Sequence, residues 1–172
     1  MTSSRPVIKI TLTIFDKALE IAGLIMLLVL WFQVVTSYSA LPDTIPTHFN
    51  FSGKADNFGP KQMFLVLPIL GTLLFSLLTW LNGRPNIYNY ATTITNENAL
   101  AQYTIATKMI RVLKVTVLIL FNILLYKKFQ TSIGEKNGLG SGVLLYTIVL
   151  IIGPVVYFLW KSITSKKKQK MS

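Results

Sequence analysis

The chain contains no cysteine, which excludes a disulfide, a thiolate nucleophile and a zinc site of the cysteine type. Histidine is almost absent: His48 stands alone, and one imidazole cannot build a histidine metal cluster. Charge is scarce too. Charged residues make up 13% of the 172 positions, where an ordinary soluble domain carries roughly a quarter. Acidic residues are the scarcest, at 6 against 17 Lys and Arg. What fills the space is apolar, with 52% hydrophobic residues and a mean hydropathy of +0.54. A formal charge of +11 alone would suggest nucleic acid. The basic residues, however, sit at the ends of long apolar blocks, where membrane topology uses them. A nucleic-acid partner is not expected; the lipid bilayer is.

Four blocks are long enough to cross a hydrocarbon core about 30 Å thick, which takes ~20 helical residues. They run from Ala18 to Tyr38, from Gln62 to Leu81, from Val112 to Tyr126 and from Val143 to Trp160. The third is the least clean, because Lys114 must snorkel toward the surface for Val112 to count. The first could be read as a signal peptide cleaved near Ser37-Tyr38-Ser39, but its apolar run is long for one and 17 residues precede it. The expected fold is therefore an all-α integral membrane protein. Four transmembrane helices are predicted, with a small ordered extracytoplasmic loop between helices one and two.

Basic residues orient this arrangement. Twelve fall before helix one, between helices two and three, and after helix four, against five in the other two loops. The positive-inside bias predicts both termini in the cytoplasm, with loops one and three outside. The chain then divides into a cytoplasmic segment 1–17, a unit 18–81 holding the motif loop 39–61, a cytoplasmic loop 82–111, helices three and four within 112–160, and a basic tail 161–172. In the tail, KKKQK reads as disordered and drawn to anionic lipid. Before helix one, Ile8, Ile10, Leu12 and Ile14 alternate with polar residues, as in an extended segment lying on the inner surface. From Glu97 to Lys114, Leu100, Tyr103, Ile110 and Leu113 share one side of an amphipathic helix that runs into helix three. Within the membrane blocks, Glu20 and Lys114 either pair or snorkel. Gln33 and Asn122 suit interhelical hydrogen bonds, while Pro68 and Gly153-Pro154 interrupt helices two and four.

Most of the information lies in the loop LPDTIPTHFNFSGKADNFGPK, residues 41–61. It is longer than a simple connection between antiparallel helices needs. Pro42, Pro46 and Pro60 restrict the residues before them to extended or turn conformations. Ser52-Gly53 leaves room for a short hairpin. If Thr47 to Phe51 is extended, His48 and Asn50 share one face, with Phe49 and Phe51 on the other and free to bury against helix ends. Gly59-Pro60 resembles a helix start with Pro60 at the first position. Beside recognition of an external ligand or peptide, three readings compete. Asp43, His48 and Asp56 offer N and O ligands to a divalent metal, though without a recognised spacing. His48 with Asp56 offers an acid–base pair, but no nucleophile stands out. The remaining reading has His48, Asn50, Asp56 and Lys61 hydrogen-bonding to hold the loop over the helix ends. No enzyme, metal or cofactor is expected on this reading.

The same run resembles the hallmark of the domain of unknown function 1648, found in small bacterial membrane proteins. Pro46, His48, Asn50, Gly53, Asp56 and Lys61 match its pattern IPxHxNxxGxxDxxxxK, which with the flanking helices spans about a third of the chain. Its best-known relatives are the SdpI-like immunity and signalling proteins, which respond to a secreted toxic peptide. The resemblance implies a bacterial plasma-membrane protein whose motif loop is structural or binds a ligand. An extracytoplasmic peptide and other membrane proteins are the partners it suggests. The second characteristic region of the SdpI-like proteins is not found after Lys61. The alternative is a structural or accessory subunit of a membrane complex or transporter; a membrane-embedded enzyme using His48 ranks below both.

Overall fold

The computed structural model describes residues 5–140 and 142–170. Four helices dominate: α1 Ile14–Ser37, α2 Val66–Asn82, α3 Ala99–Ser132 and α4 Val143–Lys170. Each is long and apolar enough to cross a membrane, α2 together with the 3-10 turn Lys61–Leu65 that leads into it. Between α1 and α2 stands an antiparallel hairpin, β1 Thr44–Phe49 and β2 Ala55–Pro60. Short 3-10 turns, Tyr38–Ala40 and Lys61–Leu65, join it to the two helices. The four apolar blocks and the small ordered loop are thus all present.

The boundaries differ from the sequence expectation for identifiable reasons. Helix α1 begins at Ile14 rather than Ala18, because Thr13 and Asp16 form a capping box. The Asp16 carboxylate accepts from the Thr13 backbone N–H at 2.9 Å, and the Thr13 hydroxyl accepts from the Asp16 N–H at 3.2 Å. Pro68 does not interrupt α2. It occupies the third helical position, where a missing N–H breaks no intrahelical bond. Pro60 ends β2 and caps the following 3-10 turn, one place earlier than a first helical residue. The basic stretch expected to be disordered continues α4 as far as Lys170. The segment expected to alternate before α1 has no regular secondary structure; Ile8 and Ile10 are half-buried and Val7 and Lys9 exposed, but the alternation stops there, with Leu12 exposed and Ile14 exposed within α1. The segment is tied down by the Tyr103 hydroxyl, which donates to the Pro6 carbonyl at 3.0 Å, and by Arg5, which reaches the Tyr88 carbonyl.

Helix α3 organises the bundle, packing against α1, α2 and α4, while α4 packs on α3. At 34 residues it is about 51 Å long, well beyond the hydrocarbon core. The amphipathic segment and the third apolar block are therefore one rod. The apolar core lies toward the hairpin end: Leu30 and Val34 of α1, Leu118 and Leu125 of α3, with Leu41, Ile45 and Phe64 closing it from the hairpin side. Midway, the Gln33 amide donates to Asn122 Oδ1 at 2.7 Å, and Asn122 donates to the Met26 carbonyl at 2.9 Å. These are the expected interhelical bonds.

At the opposite end the buried face of α3 is polar: Gln102, Thr107, Arg111 and Lys114 point inward, while Leu100 is exposed. Of the four residues expected to share one side, Tyr103 is buried among these polar groups while Leu100 is exposed, and the polar groups are paired. Gln102 and Ser162 bond across to α4. Arg111 Nε lies 3.1 Å from Glu20 Oε1, and Lys114 Nζ lies 2.5 Å from Glu20 Oε2 and 2.9 Å from Thr79 Oγ1. Lys114 is 1% exposed and does not snorkel. With a carboxylate and a hydroxyl in reach, its charge is satisfied inside the bundle.

Candidate functional site

The hairpin is irregular where its chemistry lies. Thr44 faces Pro60, Ile45 faces Gly59 and Pro46 faces Phe58, but the register then shifts on both sides of His48. His48 pairs with Asn57 and Phe49 with Ala55, so Thr47 and Asp56 are extra residues on their strands. The two bulges turn Asp56 toward His48, and His48 Nδ1 lies 2.5 Å from Asp56 Oδ1. This pair is open to solvent, with side chains 67% and 41% exposed.

Asn50 lies beyond the end of β1, in the turn, and does not continue a strand face shared with His48. Its Oδ1 accepts from the Ser52 N–H at 3.0 Å, the Ser52 hydroxyl at 2.7 Å and the Lys54 N–H at 3.0 Å. One side-chain oxygen thereby closes the whole turn, in the manner of an Asx turn. Phe51 is 89% exposed rather than buried against a helix end, because the turn carries it away from the bundle. At the hairpin base, Lys61 Nζ lies 3.2 Å from Asp43 Oδ1, and the Lys61 N–H donates to the Asp43 carbonyl. Asp43 is thus at the far end from His48, and the three residues weighed as metal ligands do not converge. Pro46 is buried beneath the sheet.

Gly53 meets a constraint that its own loop does not contain. Its φ is +78°, a region natural to glycine, and its carbonyl accepts from the Leu139 N–H at 2.8 Å. A Cβ at Gly53 would lie 2.7 Å from the Gly140 carbonyl oxygen. The loop between α3 and α4 therefore docks backbone to backbone on the hairpin tip. Between them and the first turns of α4 opens a cavity of about 510 Å³, with His48, Phe49, Asn50 and Asp56 on one side and Leu139, Val143 and Thr147 on the other. The hairpin contributes polar groups and α4 an apolar wall, which suits an amphipathic ligand. Leu139, Val143 and Thr147 carry no motif in the sequence. The one available signal was the glycine run around residues 138–142, which marks a turn but not what the turn touches.

Helix end, bulged hairpin and helix start form one continuous unit bearing all six motif residues. Residues 24–72 match the model of the domain of unknown function DUF1648. An uncharacterized protein of the archaeon Archaeoglobus fulgidus (strain ATCC 49558) is 44% identical over 57 residues, which is 33% of this chain and 31% of the relative. The chain thus aligns with about a third of that relative's length. No solved structure matches. The DUF1648 segment ends within α2, so α3, α4 and the loop that closes the groove lie outside it.

Proposed function

We propose that the protein is a noncatalytic multi-pass protein of the plasma membrane, with both termini cytoplasmic, whose hairpin groove binds an extracytoplasmic ligand. The observation behind this reading is the groove itself: a DUF1648 hairpin supplies polar groups, and a separate loop and helix supply the apolar wall. The orientation rests on the bias of twelve basic residues against five. A short peptide suits the groove, since it brings side chains for the apolar wall and backbone groups for His48, Asn50 and Asp56. An SdpI-like role in immunity or signalling would need such a binding step.

Peptide display against the protein in lipid nanodiscs tests the reading. Selected peptides should lose at least roughly tenfold in affinity when Val143→Trp fills the groove, which corresponds to about 1.4 kcal/mol. Binders indifferent to Val143→Trp would contradict it. The orientation is checked in intact cells with single cysteines in this cysteine-free chain: Ser52→Cys should react with an impermeant reagent and Asn96→Cys should not.

A further inference from the structure

Lys128 is a cation that the bundle buries without a counter-charge. It lies near the hairpin end of α3 and is 9% exposed. Its amino group donates to the Met63 carbonyl at 3.0 Å, and among the described residues it forms no ion pair. The two buried cations at the other end of α3, Arg111 and Lys114, both have Glu20. A carbonyl offers a dipole where those residues have a full negative charge, so the Lys128 charge remains uncompensated.

The same lysine lines a second cavity of about 270 Å³ between the hairpin, α2 and α3. Its other walls are almost wholly apolar: Phe49, Met63, Val66, Leu67 and Leu124. Phe49 separates this cavity from the larger groove and lines both. The cavity lies where α2 begins and α3 nears its end, at the depth of Tyr126, which stands exposed on the other face of α3 and is an aromatic of the kind that marks a membrane–water boundary. An apolar slot at that depth with one buried positive charge has the chemistry of an amphiphile site.

We infer that this cavity takes the acyl chain of an anionic lipid from the leaflet on the hairpin side, with the carboxylate or phosphate of its headgroup on Lys128. The chain enters between α2 and α3, and the headgroup supplies the negative charge that the protein withholds. The cavity is smaller than a typical drug-sized site, so it holds a segment of chain and leaves the remainder in the bilayer. The occupant borders the hairpin through Phe49, so lipid binding and the state of the larger groove are mechanically linked.

Native mass spectrometry of the full chain in nonionic detergent tests this with dodecanoate, dodecyl phosphate, dodecanol and inorganic phosphate as probes. Dodecanoate and dodecyl phosphate should bind at least tenfold more tightly than dodecanol, and inorganic phosphate should not bind detectably. Lys128→Met keeps the length of the side chain and should abolish the preference for the anionic probes. Lys127→Met removes the same charge one residue away and should leave it. Leu67→Phe fills the slot with Lys128 intact and should weaken both anionic probes at least tenfold, which decides the matter even if Lys128→Met fails to fold. Equal binding of dodecanoate and dodecanol, a preference that survives Lys128→Met, unchanged binding in Leu67→Phe, or tight binding of inorganic phosphate would each overturn the inference.

Discussion

The docking of the second loop on the hairpin can be isolated with two glycine substitutions. Gly53 and Gly134 have nearly the same backbone, with φ of +78° and +82°. Their surroundings differ: a Cβ at Gly53 would strike the Gly140 backbone at 2.7 Å, whereas a Cβ at Gly134 would meet nothing within 4 Å. Gly134→Ala therefore carries only left-handed strain, about 1–2 kcal/mol. Gly53→Ala carries that strain and also displaces residues 138–140, losing the Leu139–Gly53 hydrogen bond for about another 1 kcal/mol. The sum of roughly 2–3 kcal/mol, at 1.4 kcal/mol per factor of ten, separates the hairpin tip from the loop roughly 30- to 140-fold more often. Amide hydrogen exchange at Leu139 reads this opening directly, because its N–H is the donor. Gly53→Ala should accelerate that exchange by the stated factor, and Gly134→Ala by no more than roughly 30-fold even if all of its strain is felt there. Equal acceleration in both variants, or none in Gly53→Ala, would refute the docked arrangement and with it the closed side of the groove.

Other perturbations probe the remaining elements. Glu20→Gln strips the carboxylate from buried Lys114 and leaves Arg111 only Asp16, 3.7 Å away, and should destabilise the bundle by about 3–5 kcal/mol, with Glu20→Gln/Lys114→Met recovering a large part in thermal melts. His48→Ala removes a solvent-exposed pair and should cost under about 1 kcal/mol. Asn50→Ala deprives three donors of their acceptor and should cost about 1–3 kcal/mol, visible as faster proteolysis across residues 47–58 only in the asparagine variant. On the loop between α2 and α3, burial pushes the Tyr88 phenol up to about 12. Since an unfolded tyrosine titrates near ~10, the folded protein holds this proton more tightly. The resulting stability is complete below pH ~10 and is lost as pH rises toward the folded value. Ultraviolet titration should show a tyrosine ionising late that is missing from the trace of Tyr88→Phe; identical traces would contradict this.

The sequence by itself determined the solvent this chain is built for and the number of its crossings. Apolar runs of 15–21 residues with at most one charge, near an end, admit few other structures, because in hydrocarbon a backbone must satisfy its own hydrogen bonds. The turn at Ser52-Gly53, the interhelical role of Gln33 and Asn122, and the six motif residues were legible for the same reason: each is a local pattern or a residue type costly to bury alone. Only the tertiary structure decided which partners those residues meet. Two single-residue register shifts bring His48 and Asp56 together, and strict alternation along the strand could not reveal them. Lys114 faces in, where Glu20 on another helix pairs with it, and Leu100 faces out, an arrangement that the spacing along α3 alone does not reveal. Gly53 looks like a turn glycine in the sequence. In the fold it is also the place where residues 138–140 rest on the hairpin, more than eighty positions away, and such contacts leave no local trace in composition or periodicity.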